Sequence, residues 1–280
     1  MDKTLKRRNI KKHSIFTDLI VVSIVIILFV VVTSNINSNK ENITEELSSM
    51  ALDPFERNSI LIDKIYDEFG VRIIYGQSSL QDAERVNAVV QEDEFVVLNN
   101  LEKIYNVFKL YPSKYFENNN LTIVLLDKFK NNNIALASRN SLEQYKIYIT
   151  NAKLYERSLN HEMYHVFEYM LDSDYRKLID KQWYGLNPSG FIYDSYLSNI
   201  DNSYVYSADG TSIEDAYFVS RYSKVTSKED RAEIFAEMMR HDTEDQEYFK
   251  ISCPIFLKAN YVLSLLNQSY GHDINYKWSI

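Results

Sequence analysis

The chain has 280 residues, 45% of them hydrophobic and 25% charged, with only six Gly and four Pro. That balance is globular, and it excludes a fibrous or low-complexity chain. One cysteine, Cys253, excludes a disulfide framework and any cysteine-rich zinc or redox motif, so a metal would have to be held by His and carboxylate. The formal charge of −8 argues against nucleic acid as a partner, because phosphate binding needs a basic face.

The N-terminus opens with six basic residues (Lys3, Lys6, Arg7, Arg8, Lys11 and Lys12) against one acid, Asp2. An apolar run over 19–32 follows, broken only by Ser23. Basic flank then apolar run predicts a signal peptide or a single-pass signal anchor with its N-terminus inside. Extending the run to 15–34 reaches the roughly 20 residues a span requires. The expected organisation is a cytoplasmic basic tail and anchor over 1–34, a polar stalk over 35–58, and a folded domain over 59–280. The domain would then face outward, at the cell surface or secreted, and act as a monomer. Without residues 1–34 the chain keeps 25 basic and 37 acidic residues, a net charge of −12.

Within the domain, 60–69 reads as a short amphipathic helix stopped by Gly70, and 71–75 as a strand. Apolar spacing through Val97, Leu98, Leu101, Ile104, Tyr105 and Phe108 predicts a core-facing helix over 95–110, ended by Pro112. Strands are expected over 121–126, 134–137 and 145–150. The last alternates Tyr145, Ile147 and Ile149 with Lys146, Tyr148 and Thr150, the pattern of a half-exposed strand. A helix follows over 154–171. Residues 183–212 read as a Tyr-rich loop, 227–241 as a helix, and 254–269 as a terminal helix. The apolar neighbours Ile251, Ile255 and Phe256 suggest that Cys253 is buried. The fold class is α+β, a small mixed sheet with a mostly helical C-terminal part behind the N-terminal helix.

The helix over 154–171 carries His161-Glu162-Met163-Tyr164-His165. Histidines four apart on a helix point the same way one turn apart, so both imidazoles can reach one zinc ion. Glu162 between them is placed to take a proton from a water activated by the metal, then return it to the leaving amine. Catalytic zinc takes a third protein ligand, and no histidine stands at a suitable downstream spacing. A carboxylate of the 227–241 helix is therefore expected. Ala232, Phe235, Ala236 and Met239 form an apolar stripe there, with Glu233 at its border and Asp230 and Arg231 further outward. Glu233 is the favoured ligand, with Glu237 its rival one turn on. Thr226 and Glu229 fit a capping box at the helix start, and His241 sits near its negative end.

Three stretches together resemble a family of exported bacterial zinc metallopeptidases related to the catalytic domain of anthrax lethal factor and to clostridial Pro-Pro endopeptidases. They are His161-Glu162-x-x-His165, Phe218-x-Ser220-x-Tyr222, and Glu229-Asp230-x-Ala232-Glu233-x-Phe235-Ala236. Trp183-x-x-Leu186-Asn187-Pro188-x-Gly190-Phe191-x-Tyr193 matches that family's middle segment. The sequence departs from it with Ser223 where Ala is usual and Thr226 where Asn is common. The resemblance implies a zincin-like fold of the gluzincin type with one Zn²⁺ per chain. It implies His161, His165 and Glu233 as ligands, Glu162 as general base and Tyr222 as hydrogen-bond donor to the oxyanion, with Tyr217 as the competing tyrosine. The expected activity is hydrolysis of a peptide or protein substrate, which could pair in extended form with the strand over 145–150 or its neighbour over 134–137. A membrane-tethered binding or adhesion protein with a structural or inactive zinc site is the alternative, which the Tyr-rich loops would serve equally.

Overall fold

The computed structural model describes residues 52–117, 120–131, 133–151, 155–195, 216–240 and 252–270. The expected basic tail, the anchor over 1–34 and residues 35–51 of the stalk lie outside the described residues. Among those described, no helix is long and apolar enough to cross a membrane. Packing divides the chain at Leu52/Asp53, and the second unit begins with a capped helix.

That helix, α1 (Pro54–Phe69), starts earlier than expected because Asp53 and Glu56 close a reciprocal capping box and Pro54 occupies the first turn. Gly70, at φ +67°, ends it in the left-handed conformation. Residues 54–58 therefore belong to the domain and not to a stalk, and Asn58 is fully buried. Strand β1 (Arg72–Ile74), a 3₁₀ turn (Gly76–Ser79), α2 (Leu80–Arg85) and β2 (Ala88–Val90) follow. Helices α3 (Glu94–Phe108) and α4 (Ser113–Phe116) lead to β3 (Leu121–Phe129), β4 (Ala135–Arg139) and β5 (Tyr145–Thr150). Then come α5 (Tyr155–Met170), α6 (Ser173–Tyr184), a 3₁₀ turn (Tyr222–Lys224), α7 (Ser227–Met238) and α8 (Cys253–Tyr270). The architecture is mixed α+β, with a small mixed sheet followed by helices.

In the five-stranded sheet, β3 pairs on one side with β1 in parallel and with β2 antiparallel, and on the other with β5 in parallel. Strand β4 pairs antiparallel with β5 and forms the edge. Strand β5 is thus interior, and five of its six residues are buried. The half-exposed strand read from its alternation is corrected here. Its polar face is covered by α2, whose Asp82 accepts hydrogen bonds from Lys146 Nζ (2.7 Å) and from the Tyr148 hydroxyl (3.0 Å). Tyr148 packs beside Ala83, Ala88 and Phe129. Helix α5 packs beneath β4 and β5 and against α7.

Helix α7 is buried from Asp230 to its end. Asp230 and Arg231, expected to face outward, are 0% and 1% exposed. Each is paired: Arg231 donates to Glu168 on α5 and meets Asp180 of α6 at 2.9 Å. Asp230 Oδ2 accepts from Trp183 Nε1 (2.9 Å), the Tyr193 hydroxyl (2.8 Å) and Lys258 Nζ of α8 (2.6 Å). The loop expected over 183–212 thus begins as the end of α6, where Trp183 is buried. Its described part is tied to α7 through Tyr193, and residues 196–215 lie outside the described residues. Cys253 is exposed, contrary to expectation, because α8 buries the face of Ile255, Ala259, Val262 and Leu266 instead. His241 falls outside the described residues.

Lys258 is fully buried, so Lys258→Met leaves Asp230 as an uncompensated interior charge. We expect that variant to lose about 3–5 kcal/mol in urea unfolding. A loss below about 1 kcal/mol would contradict the pairing.

Candidate metal centre

Helix α5 runs beneath the edge strand with Arg157, His161 and His165 at successive four-residue steps, so one face carries all three. The imidazoles of His161 and His165 stand with ring centroids 4.8 Å apart and planes 77° to each other. Their Nε2 atoms are 3.1 Å apart. Helix α7 crosses α5 and brings Glu229 Oε2 to 2.9 Å from His161 Nε2 and 3.2 Å from His165 Nε2. Two imidazole nitrogens and one carboxylate oxygen thus converge on one point.

Glu233, expected as the third ligand, is placed differently. Its Oε1 lies 2.9 Å from Nδ1 of His161, on the opposite side of that ring from the convergence point. Its two oxygens are held by Arg157 Nη1 (3.1 Å) and Nη2 (2.6 Å), and the Ser220 hydroxyl also donates to Oε2. Its lone pairs are therefore engaged by His161, Arg157 and Ser220, and it is Glu229 that stands with the two Nε2 atoms in a group that could hold a metal ion. The rival Glu237 is drawn to Arg157 Nε (2.6 Å) and Arg240 (3.2 Å). The capping box read at this helix forms only by half. Thr226 Oγ1 accepts from the Glu229 backbone N–H at 3.2 Å, but the Glu229 carboxylate turns to the histidines.

The donor set fits zinc. Four-coordinate zinc with bonds of about 2.0–2.1 Å has donor–donor separations of about 3.3 Å. The observed 2.9–3.2 Å are close to that value. Hydrogen-bond logic agrees. Glu233, ionised by Arg157, accepts a hydrogen bond from Nδ1–H of His161, which leaves Nε2 facing His165 and the Glu229 carboxylate, free to carry a proton or to give its lone pair to a metal. A proton or a metal cation at that point balances the carboxylate. Burial disfavours a positive His161, yet hydrogen bonds with Glu229 and Glu233 and their charges carry its pKa up to about 10. Burial likewise opposes ionisation of Glu229, but His165 and His161 hold its carboxyl well below the usual range. Glu233 is held low against burial by Arg157 and His161.

Glu162 lines the same cleft, which has a volume of about 280 Å³. It is buried, and desolvation raises its pKa. Tyr222 also lines the cleft, its ring centroid 5.9 Å from that of His161. Burial, then the charges of Glu229, Glu162 and Glu233, push its hydroxyl well above the ordinary phenol value, so it stays a proton donor. Tyr217 is not a lining residue; its backbone carbonyl accepts from Lys258 Nζ at 2.8 Å. Asn133 to Ala137, Ser158, Tyr169 and Lys228 complete the wall. Of these, sequence reasoning gives a role only to the strand over 134–137, as a possible partner of an extended substrate, and it spends Glu229 on the helix cap. The signal for Glu229 was its four-residue offset from Glu233, which puts both on one helix face.

No known protein-family model matches the chain, and no curated protein matches it. Among solved structures it is similar to one described as a "putative zinc-binding metallo-peptidase from Bacteroides caccae ATCC 43185". The two share 12% identity with a TM-score of 0.46, over 81% of this chain and 90% of that one. A superposition that loose carries no weight for fold or activity.

Two outcomes follow from the geometry. Glu229→Gln should lose stoichiometric zinc, whereas Glu233→Gln should keep one zinc per chain and bind it about 10–100-fold more weakly in chelator competition; the reverse order would contradict the ligand placement. Zinc must also displace the proton that His161, with its raised pKa, holds in the metal-free site at neutral pH. Calorimetry in buffers of different ionisation enthalpy should show proton release on binding, with apparent affinity climbing as pH rises from 6 to 8, a window of about two units.

Proposed function

We propose that this chain is a zinc-dependent endopeptidase, held at the cell surface by its N-terminal basic and apolar segment or released from it, and working as a monomer with one zinc per chain. The observation that carries the reading is the convergence of His161 Nε2, His165 Nε2 and Glu229 Oε2 within 3.2 Å of one another, beside Glu162 and Tyr222 in one cleft. Two imidazoles and one carboxylate leave a tetrahedral ion an open position, the mark of a catalytic and not a structural site.

Zinc bound there supplies Lewis-acid polarisation of a carbonyl and lowers the pKa of a water molecule. Glu162 takes the proton of the attacking water and passes it to the leaving amine; its burial, which raises its pKa, suits a group that must both accept and give. Tyr222 remains protonated and donates to the developing oxyanion. Arg157 and Glu233 act at one remove, fixing the tautomer and the angle of His161.

A peptide is the substrate class that suits the wall of the cleft. Strand β4 pairs only with β5 among the described residues, and its residues Ala135, Leu136 and Ala137 line the cleft. Its free edge can accept an extended chain, whose scissile bond would run past Glu162. Of the two strands considered for this role, interior β5 is unavailable.

Purified protein should contain one zinc per chain and cut members of a peptide library. Glu162→Gln should keep the metal and slow cleavage by about 10²–10⁴-fold. Absence of stoichiometric zinc in the wild type, or a zinc-loaded wild type that leaves every peptide intact, would contradict the peptidase reading.

A further inference from the structure

We propose that Lys228 is a specificity-determining residue that selects substrates bearing a carboxylate close to the scissile bond, an inference that rests on the peptidase reading above. Lys228 is the second residue of α7, exposed, and part of the cleft wall. Its position is locally unfavourable, because a cation in the first turn opposes the helix dipole. Nothing in the fold compensates for it: among the described residues no hydrogen bond or ion pair holds its ammonium group. The neighbouring acids are committed elsewhere, Glu229 to the histidines and Asp230 to Lys258 and Trp183.

The charge balance of the cleft gives this lysine its weight. Five of the lining side chains carry fixed charge: Arg157, Glu162, Lys228, Glu229 and Glu233. Arg157 bridges Glu233 and Glu237, and Arg240 supplies the second positive charge to Glu237, so these four groups balance. A divalent ion is matched by Glu229 and Glu162. What remains is the single positive charge of Lys228, inside a protein whose formal net charge is −8. In a concave, partly desolvated site a lone uncompensated charge attracts its opposite and repels its like, which sets specificity more than affinity. An Asp or Glu side chain, or a free C-terminal carboxylate, would supply the missing charge, and a basic residue at that subsite would be rejected.

The test reads binding, so it does not depend on turnover. Amide-capped, fluorescent hexa-alanine peptides, each with one Glu at one of the six positions, are titrated by anisotropy onto zinc-loaded Glu162→Asp protein, which keeps the negative charge at that position. Gln and Lys counterparts are run alongside, with all-alanine peptide bearing a free C-terminus. At least one Glu peptide, or the free-carboxylate peptide, should bind about three- to tenfold tighter than its neutral counterpart, with the gap narrowing in high salt. Which peptide shows the gap identifies the carboxylate as side-chain or terminal. Lys228→Ala should abolish the gap, Lys228→Arg should keep it, and Lys228→Glu should reverse it toward the Lys peptide. Equal binding of charged and neutral peptides, a gap that survives Lys228→Ala, or no binding by any peptide would overturn the proposal. Zinc bound without carboxylate preference defeats this inference alone, whereas failure to bind zinc defeats the reading beneath it.

Discussion

Charge buried on α7 has to be answered by charge from its neighbours, and that constraint organises the domain. Burying a carboxylate without a partner costs several kcal/mol, on the order of the whole stability of a domain. Helix α7 brings four acids inward within nine positions. Asp230 is answered by Lys258 of α8, and Glu233 and Glu237 by Arg157 of α5. Glu229 differs, since its partners are the two histidines, which are neutral unless they bind a proton or a metal. Of these four acids, Glu229 alone has no Lys or Arg partner among the described residues, and it stands where a metal cation fits.

The same pairs fix the geometry. Arg157 and His161 stand one turn apart on α5, and both grip Glu233, so α5 and α7 are locked in register at the level of the convergence point. On the other side of α7, the Arg231–Glu168 pair repeats the lock, and Asp230 ties the helix to Trp183, Tyr193 and α8. With α7 held from three directions, the Glu229 carboxylate has little freedom to turn away from the histidines. A preorganised ligand set of this kind pays its ordering cost during folding, before the metal arrives.

How much of this was legible depended on whether covalent spacing or tertiary packing set the answer. His161, Glu162 and His165 were legible because a helix alone puts their side chains together. That a carboxylate of a later helix would stand beside the histidines was legible as well, since the lack of cysteine and of a further suitable histidine left that residue type. Choosing between Glu229 and Glu233 was not, because they share one helix face and only the rotation of α7 against α5 decides which meets Nε2 and which meets Nδ1. Arg231 and Asp230 looked like a solvated face because their partners Glu168 and Lys258 are 63 and 28 residues away. Strand β5 was placed correctly but its exposure was misread, since α2, six residues long and half charged, gives little periodic signal yet covers its second face. Helix α6 was missed for a related reason: its sequence is polar, and only Ile179 and Trp183 are buried.

Anomalous diffraction at the zinc edge from crystals of the zinc-loaded protein tests the central claim most directly. A single peak about 2.0–2.2 Å from His161 Nε2, His165 Nε2 and a Glu229 oxygen, with Glu233 still on Nδ1 of His161, is the expected result. A peak bonded to Glu233 in place of Glu229, or none between the two histidines, would contradict it.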